Sequence, residues 1–444
     1  MGPMTVIASV RAGFLARAIA RAEREQELPG TTEGRREAQV ALLNAEWARA
    51  RETSPRAARL AREHRLPHRF GTIEEYARRM PPLTKREIQD GAVELRSRGR
   101  RPDFYRMTGG STAAPVRIPA WSSEIRHTNP WAWLGRRRYG ITPASRLFLL
   151  WGHSHLLGSG WPARVRAMRR ALSDRALGYL RFSAYNLAPE ALSAGGEALL
   201  AFRPDYVVGY SVALDQFARA NEHRRAGFRA LGLRAVIGTA ESFPFPDTGE
   251  RLADLFGAPV AMEYGAVETA VLAHTVPAGM FEVYWRQHLL EALRGPAGWR
   301  LVVTSLFPRC TPLLRYEIGD LVEPGRALGS AGPDHLVGLA QIERVVGRTN
   351  AFVRVGEALI HSEAFTHAVR GVAGIRAYQV LQEGPRIEVR YLGDEPLAQQ
   401  AVEGIRERLG RVHPGLAAIP VLRVDALERT VAGKSPMVII RQAG

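Results

Sequence analysis

The amino-acid sequence predicts an α/β protein: a large N-terminal domain with parallel sheets flanked by helices, followed by a small α+β C-terminal domain. The chain has 444 residues, more than one ordinary hydrophobic core accommodates. Between 205 and 264, short apolar strands alternate with helical segments, which is typical of a parallel sheet. A new series of short strands and helices begins near 348. We therefore expect the domains to cover 1–347 and 348–444.

The first hundred residues are predicted to be mostly helical and to begin with an amphipathic helix. Arg/Glu/Ala-rich stretches at 33–64 and 73–96 carry most of this signal. Pro81 and Pro82 stop one helix, and Thr84, with Glu87 three residues later, is typical of a capped start of the next. The apolar run 146–151 suits a buried strand.

The segment 205–264 positions the chemistry. Strands are predicted at 206–210, 235–239 and 259–264, with helices over 212–226 and 248–256. Ligands gather at the carboxyl ends of such strands, so we expect functional residues within 239–242 and 263–269. The remaining elements are a strand at 300–307, a glycine-rich surface turn at 327–334, C-terminal strands at 351–355, 376–382, 386–391 and 420–424, and C-terminal helices at 362–370 and 396–412.

Composition limits the function classes. The net charge is +17, and the chain has 59 arginines and only two lysines. The arginines are spread along the whole length rather than gathered in a basic block, so we expect no nucleic-acid partner, although the charge would attract polyanions such as nucleotides, coenzyme A or an acidic carrier protein. The single cysteine, Cys310, excludes an internal disulfide and fits the cytoplasm. No apolar run approaches a membrane span.

Three short segments could carry phosphate and nucleotide chemistry. Thr-Gly-Gly-Ser-Thr-Ala-Ala-Pro at 108–115 could turn backbone amides and hydroxyls toward phosphate. In Glu-Tyr-Gly-Ala-Val-Glu at 263–268, Glu268 could hold Mg²⁺ and Tyr264 could lie against a nucleobase. In Arg-Tyr-Glu-Ile-Gly-Asp at 315–320, the Asp320 carboxylate could accept hydrogen bonds from both ribose hydroxyls.

Two further segments lie in the C-terminal part. Gly-Arg-Thr-Asn-Ala-Phe-Val-Arg-Val-Gly at 347–356 marks the expected domain junction. Arg-Thr-Val-Ala-Gly-Lys at 429–434 ends in Lys434, a compact positive charge that fits between a carboxylate and a phosphate better than an arginine fork does.

In this order and spacing, the five segments resemble those of the adenylate-forming superfamily, which includes acyl- and aryl-CoA ligases, peptide-synthetase adenylation domains and luciferases. The likeness is closest to the phenylacetate–CoA ligase and coenzyme F390 synthetase branch, and it covers nearly the whole chain. It implies an AMP-forming acid–thiol ligase that uses ATP, Mg²⁺ and coenzyme A on a small carboxylic acid. It also implies that the C-terminal domain is mobile.

The resemblance assigns roles residue by residue. Lys434 and Glu268 are the expected catalytic residues, with Glu268 also the metal ligand. The expected nucleotide and coenzyme A contacts are Thr108, Gly110, Ser111, Thr112, Thr239, Ala240, Glu241, Glu263, Tyr264, Gly265, Asp320, Arg348 and Gly356. By position, the acid is expected to contact Trp151, His153, Tyr210 and Ser211. The rings of Trp151 and Tyr210 suggest a flat, aryl substrate.

The sequence departs from the family pattern in two places. Ala113 and Ala114 stand where the phosphate loop usually has Gly-Lys, and Asn350 stands at the hinge where Asp or Lys is usual. The acceptor stays open: coenzyme A first, with a carrier protein, an amine, or F390-like nucleotidyl transfer as alternatives. Two alternative interpretations do not involve this chemistry: a basic nucleic-acid-binding protein, and a decayed adenylation fold kept as an interaction scaffold. The family often forms homodimers, and the sequence does not decide whether this chain does.

Overall fold

The structure is a computed structural model. It describes residues 3–90, 92–107, 117–151, 161–184, 189–276, 279–348, 352–356, 358–369, 372–429 and 436–441. Among these residues it forms one large mixed sheet, one four-stranded sheet and two hairpins, with helices against them. The predicted fold class is confirmed.

The N-terminal region is helical, as predicted. Its helices are α1 (Pro3–Glu27), α2 (Thr32–Thr53), α3 (Pro55–Glu63), α4 (Ile73–Arg79), α5 (Lys85–Asp90) and α6 (Ala92–Leu95). Side-chain oxygens of Thr31, Ser54 and Thr72 cap three of these helices by accepting from backbone amides. The predicted capping box at Thr84 is present: its amide donates to Glu87 Oε2 at 2.8 Å, and its Oγ1 accepts from the Glu87 amide at 3.2 Å.

Five parallel strands form one part of the large sheet, and four of them lie where the sequence predicts strands; the fifth, at 179–183, was not predicted. The elements of this region are β1 (Phe104–Met107), β2 (Arg117–Ala120), α7 (Ser122–Arg137), β3 (Leu147–Trp151), α8 (Trp161–Leu177), β4 (Tyr179–Ser183), α9 (Pro189–Phe202), β5 (Tyr206–Tyr210), α10 (Ser211–Ala220), α11 (Arg225–Arg229), β6 (Ala235–Thr239), α12 (Thr248–Phe256) and β7 (Val260–Ala266). β4, β3, β5, β6 and β7 are neighbours in that order and run parallel.

Burial on both faces explains why these strands are continuous apolar runs. In β5, Val207 packs into a cluster with α9, α10 and α12, whereas Tyr206 and Val208 pack into a cluster on the other face with α1 and α7. The same alternation holds in β6, where Val236 and Ile237 belong to opposite clusters. Both faces of β5 and β6 are therefore covered by helices.

The rest of the large sheet is antiparallel. Its strands are β8 (Ala270–Thr275), β9 (Phe281–Val283), β10 (His288–Gly295), β11 (Gly298–Ser305), β12 (Tyr316–Pro324), β13 (Ala327–Gly332), β14 (His335–Leu339) and β15 (Gln341–Arg348). The complete order is β13-β14-β10-β11-β12-β15-β9-β8-β7-β6-β5-β3-β4. A core cluster joins side chains of β7, β8 and β12, although β8, β9 and β15 separate β7 from β12 in the order. The sheet therefore curls over that core.

The predicted surface turn at 327–334 is wrong, because residues 327–332 form β13, paired with β14. The glycines were read as turn formers, yet Gly329 has a packing role. A Cβ built there would lie 2.0 Å from Glu74 Oε1 on α4, so a larger residue would displace the Glu74 side chain.

The C-terminal part has its own sheet. Its elements are β16 (Phe352–Val355), β17 (Ala358–His361), α13 (Ser362–Val369), β18 (Ala377–Glu383), β19 (Arg386–Leu392), α14 (Gln399–Val412), β20 (Val421–Arg423) and β21 (Val438–Arg441). The order β20-β19-β18-β21 combines parallel and antiparallel pairs. Phe245, from the loop after β6, belongs to the core of this part and lies 6.2 Å from Tyr378. The domain boundary at 347/348 stays a prediction.

None of the described helices is long and apolar enough to cross a membrane.

Candidate active site

The predicted site residues lie at the carboxyl ends of the parallel strands. Trp151, Tyr210 and Thr239 are the last residues of β3, β5 and β6. Tyr210 pairs with Thr239, and Thr239 pairs with Glu263 of β7. Parallel strands end at the same sheet edge, so this register lines up four predicted positions along one side of the molecule.

An aromatic pair forms one part of this edge. The ring centroids of Trp151 and Tyr210 are 4.4 Å apart with planes inclined by 45°. Tyr210 is buried and Trp151 is half-buried, so the pair presents an apolar wall. His153, predicted beside it, lies outside the described residues.

Hydrogen bonds hold the next loop against the start of α10. Ser211 Oγ donates to the Glu241 carbonyl oxygen at 2.7 Å, and the Val212 amide donates to Glu241 Oε1 at 3.2 Å. Ala240 has a φ of +73°, a left-handed conformation that is uncommon for a residue with a Cβ. Ser211 and Glu241 thus support the loop that fixes Ala240 at the edge of the site.

The segments 263–268 and 315–320 meet through two reciprocal hydrogen bonds. Tyr264 of the first segment donates to Asp320 Oδ2 of the second at 2.7 Å. Tyr316 of the second donates to Glu268 Oε1 of the first at 3.3 Å. Both tyrosine rings belong to the core cluster under the curled sheet, and each carboxylate residue is 7% exposed. Two predicted carboxylates, Asp320 on β12 and Glu268 in the turn after β7, are therefore each held by a tyrosine of the same core.

Gly265 is required by the backbone of the hairpin between β7 and β8. A Cβ at this position would lie 2.2 Å from the Ala270 carbonyl oxygen. Substitution by any larger residue would push the strands apart, and with them the turn that carries Glu268. The structure thus gives this predicted nucleotide contact a role in the fold.

Glu263 is not placed with Tyr264 and Glu268, and this corrects the expectation of a nucleotide contact. Successive side chains of a strand point to opposite faces, so Glu263 turns toward α7. There, Arg136 Nε and Nη2 donate to its carboxylate at 2.5 and 2.9 Å. Both side chains are largely buried, and although burial raises the pKa of the Glu263 carboxyl, the Arg136 charge holds it below its usual range.

Residues of the C-terminal half reach the same edge. Arg348 lies directly opposite Asp320 across β12 and β15. Arg429 Nη1 donates to the Ala184 carbonyl at 3.2 Å, just beyond the end of β4, and burial lowers the pKa of its guanidinium. Arg429 ends the described chain before 430–435, the segment that contains Lys434. Lys434 itself lies outside the described residues.

Gly356 is an exposed glycine in the turn between β16 and β17. It has a φ of +60°, and a Cβ built there would have open space within 4 Å. Thr108, Gly110, Ser111, Thr112, Ala113, Ala114 and Asn350 all lie outside the described residues. Their roles stay predictions.

Solved structures resemble this arrangement over nearly the whole chain. 2-Hydroxyisobutyryl-CoA ligase in the postadenylation state, in complex with R3-HIB-AMP, superposes with a TM-score of 0.67 at 16% identity, covering 91% of this chain and 89% of that chain. The chain has the fold of the adenylate-forming CoA ligases. The resemblance predicted from the sequence is thereby confirmed at the level of the fold, and the phenylacetate–CoA ligase branch stays a prediction.

Two further solved structures share this fold, and one protein sequence is similar to part of the chain. The same ligase in the thioesterification state, with 2-HIB-AMP and CoA, gives a TM-score of 0.56 at 17% identity, over 92% of this chain and 90% of that one. ATP-bound MatB from Rhodopseudomonas palustris gives 0.51 at 14% identity, over 74% and 65%. Protein CapK of Staphylococcus aureus is 22% identical over 289 residues, which are 63% of this chain and 60% of CapK. No family model matches the chain.

The donor set of this CoA-ligase fold suits a nucleotide-bound Mg²⁺ rather than a metal held by protein alone. Among the described residues, no cluster of three or more His, Cys, Asp or Glu could hold a metal. Mg²⁺ at nucleotide sites usually takes one or two carboxylates and completes its shell with phosphate oxygens and water. A single carboxylate at Glu268 fits that pattern.

Three charged residues near Glu268 were missed by sequence reasoning. Arg106 and Arg309 bind the turn after β7, and Glu124 binds Arg106 and lies 3.6 Å from Arg309; Glu124 and Arg309 are each 1% exposed, and Arg106 is half-buried. Arg106 and Glu124 look like ordinary residues of a basic, charged sequence. Arg309, within the apolar segment 305–314, gave a signal in retrospect, because a charge flanked by buried residues needs a buried partner.

Proposed function

We propose that this chain is an ATP-dependent acid–thiol ligase. It activates a small carboxylic acid as the acyl-adenylate, releases pyrophosphate, and transfers the acyl group to a thiol. The reciprocal pairing of Tyr264 with Asp320 and of Tyr316 with Glu268 carries the proposal, because it brings two segments that lie some fifty residues apart into one rim.

Asp320 and Arg348 are the proposed ribose contacts. The Tyr264 hydroxyl donates to one Asp320 oxygen at 2.7 Å, which orients the carboxylate, and carboxylate oxygens are acceptors suited to hydroxyl groups. Arg348 is paired with Asp320 across the two neighbouring strands, so both residues are proposed to contact the same ribose. The Tyr264 ring is the proposed neighbour of the base, and Thr239, Ala240 and Glu241 form the edge beside it.

Glu268 is the proposed ligand of Mg²⁺ bound to the triphosphate. When bound, the metal supplies positive charge that offsets the charge of the phosphates. Among the described residues, the Glu268 carboxylate accepts one hydrogen bond, from Tyr316 at 3.3 Å. Lone pairs of that carboxylate therefore stay available for a cation. The loop 108–112 is the proposed grip on the outer phosphates.

The first half-reaction is a displacement at phosphorus. A carboxylate oxygen of the acid attacks the α-phosphorus of ATP, the bond to the β-phosphate oxygen breaks, and pyrophosphate leaves. Two anions approach one another, so a fixed cation near the α-phosphate stabilises the transition state. Lys434 is the proposed cation, and the Arg429–Ala184 hydrogen bond supports it because the segment that leads to Lys434 starts at the sheet edge beside Trp151.

The second half-reaction transfers the acyl group. A thiolate attacks the carbonyl carbon of the adenylate, the bond to the AMP oxygen breaks, and AMP leaves with that electron pair. Coenzyme A is the proposed thiol, with the turn at Gly356 as one wall of its path. Rotation of the C-terminal part about residue 350 would exchange Lys434 for that turn. A carrier-protein thiol or an amine would react at the same carbon, and F390-like nucleotidyl transfer would leave AMP on the product.

The proposed acid is small and flat. The Trp151–Tyr210 pair supports an aryl or otherwise planar acid, because two rings at 4.4 Å form an apolar wall. The relatives support acid activation in general: one solved neighbour holds 2-HIB-AMP and CoA. That ligase's own acid is an aliphatic one by name, so the choice of acid rests on the aromatic pair.

ATP–pyrophosphate exchange with Mg²⁺ across aryl, acyl and amino acids tests the proposal. We expect exchange that depends on an acid, and its loss in Lys434→Ala. Arg429→Ala is the matched control, since it removes a nearby positive charge whose hydrogen bond only docks the segment. Exchange by Lys434→Ala at the wild-type rate would contradict the assignment of that lysine, and a coenzyme A assay on the same acid decides the acceptor.

A further inference from the structure

The turn that carries Glu268 is held by two arginines through two consecutive backbone carbonyls. Arg106 Nη1 donates to the Val267 carbonyl at 3.2 Å. Arg309 Nη2 donates to the Glu268 carbonyl, and Arg309 Nη1 donates to Ser305 Oγ at 3.1 Å. The two guanidinium groups thus fix the backbone on either side of the Glu268 Cα, from which the carboxylate projects.

Both arginines meet the same carboxylate oxygen. Arg106 Nη2 donates to Glu124 Oε2 at 3.1 Å, and Arg309 Nε lies 3.6 Å from that atom. The other oxygen, Oε1, accepts from the amides of Trp121 and Cys310, each at 2.9 Å. Glu124 therefore joins α7, β1 and the segment after β11 at one buried point.

Charged groups of both signs surround Arg309 in this cluster. Burial, together with the Arg106 charge, lowers the pKa of the Arg309 guanidinium to about 10, while Glu124, Glu46 and Glu268 act in the opposite direction. Arg309 thus remains a cation at neutral pH. Buried ion pairs are weak evidence for stability, because apolar residues of similar volume often serve as well. Directional bonds to two successive carbonyls instead specify one conformation of the turn.

One member of the cluster, Arg106, is also close in sequence to the proposed phosphate loop. Arg106 is in β1, two residues before Thr108, where that loop begins. The guanidinium that meets Glu124 and Val267 therefore belongs to the strand that leads into 108–112. In the proposed function, Glu268 and that loop would both contact the metal–triphosphate, and errors of about 1 Å in such placements can reduce rates about 100-fold.

We propose that Glu124, through Arg106 and Arg309, is a positioning residue that fixes the backbone of the turn from which the Glu268 carboxylate projects. The inference rests on the proposed function, since that function makes Glu268 the ligand of Mg²⁺. Glu124 touches neither metal nor nucleotide. Its effect is expected in the Mg²⁺ dependence of ATP use, as for residues that orient metal ligands in other enzymes.

Glu124→Gln is the decisive variant. The amide retains the shape and can still accept from one backbone amide, but it removes the charge that faces both arginines. We expect the Mg²⁺ concentration for half-maximal exchange to rise about tenfold or more, with the KM of the acid unchanged within twofold. Glu124→Asp, which keeps the charge, should recover part of the shift.

Glu291→Gln is the matched control. Glu291 is as buried as Glu124 and binds Arg315 and His335, and the hydrogen bonds of its carboxylate lie away from the turn at 267–268. We expect this variant to lose thermal stability without a shift in Mg²⁺ dependence. Arg106→Lys is the second test variant. It keeps the charge but not the fork that reaches two acceptors, so a shift of severalfold is expected.

A Glu124→Gln enzyme that loses stability as the control does, yet keeps the wild-type Mg²⁺ dependence, would overturn the positioning role. If Glu124→Gln does not fold, Arg106→Lys decides in the same way. If the wild type shows no exchange with any acid, the proposed function fails separately, and the Mg²⁺ dependence of ATP binding is then measured by calorimetry. Loss of that dependence in the variants would retain the positioning role, and its persistence would refute it.

Discussion

Two glutamates five residues apart in one hairpin occupy opposite environments. Glu263 on β7 faces α7, where its carboxylate accepts two hydrogen bonds from Arg136. Glu268 follows the strand, faces the curled core, and accepts a single hydrogen bond from Tyr316 among the described residues. Arginines near Glu268 bind its backbone instead of its carboxylate. The pair teaches that a carboxylate is available for chemistry when its charged neighbours are directed elsewhere.

The largest expected effect is on stability, at Glu263. Glu263→Gln leaves Arg136 buried without its counter-charge, which should reduce the free energy of unfolding by about 3–5 kcal/mol. Urea denaturation measures this, and exchange per folded molecule should stay near wild type. The double variant Glu263→Gln with Arg136→Met should recover most of the loss. If the double variant recovered stability but lost exchange, Glu263 would instead have a role in the active site.

Glu268→Gln should do the reverse. Removing the proposed metal ligand should slow ATP–pyrophosphate exchange at least about 100-fold, because the charge of the phosphates is no longer offset. The urea midpoint should change little, since one long hydrogen bond is altered. Exchange within threefold of the wild-type rate would show that Glu268 does not hold the metal.

Two buried histidines extend the comparison to pH. His274 Nε2 lies 3.9 Å from Glu263, and His288 packs against Phe307, next to Arg309. Burial lowers the pKa of both, that of His288 from 6.5 to about 3. The unfolded chain thus binds protons between pH 6.5 and 3 that the folded His288 does not, so stability is retained above that window and lost as pH falls through it.

His288→Gln should therefore flatten the acid side of the stability curve. Each such histidine contributes a slope of up to about 1.4 kcal/mol per pH unit inside the window, and this variant removes one of them. Urea midpoints at pH 7, 6 and 5 measure the slope. His64→Gln, at an exposed position, should leave it unchanged; an equal change in both variants would mean that burial of His288 does not set the slope.

The smallest expected effect is the difference in stability between the Tyr264→Phe and Tyr316→Phe variants. Tyr264→Phe removes a 2.7 Å hydrogen bond to Asp320, and Tyr316→Phe removes a 3.3 Å bond to Glu268. Hydrogen bonds to charged groups contribute about 1.5–3 kcal/mol, and the shorter one should contribute more. Urea denaturation of both variants compares them. A greater loss in Tyr316→Phe would mean that Glu268 depends on its tyrosine more than the distances indicate.

The sequence predicted the parallel strands well because both of their faces are buried. β3, β5, β6 and β7 read as apolar runs wherever helices cover both sides, and their ends could be placed within one or two residues. β13 was missed because one of its glycines, Gly329, lies against Glu74 of α4 rather than in a turn. A glycine in isolation does not reveal which of these reasons applies.

The residues of the candidate site also differ in whether the sequence alone could reveal them. Asp320, Glu268 and Tyr264 were found because their short segments have a recognisable order, whereas the face toward which Glu263 points depended on the partner in α7. Arg309 and Glu124 were not found, since the contact joins residues 185 positions apart. Only the fold brings such charges together, and a single sequence carries no record of the pairing.

Helix α7 has a consequence for how this chain can vary. It is linked to the β7–β8 hairpin at both ends: Glu124 near its start acts through Arg106 and Arg309, and Arg136 near its end binds Glu263 directly. Those residues are twelve apart, about 18 Å along a helix, which is comparable to the strand from Glu263 to the turn at Val267, about 13 Å of extended chain. A Cβ at Gly135 would lie 2.2 Å from the His274 ring, so the helix rests directly on the sheet. One inserted residue between the two contacts would rotate one of them by about 100°; α7 is therefore a spacer of fixed length, in which insertions and deletions should be far less tolerated than substitutions.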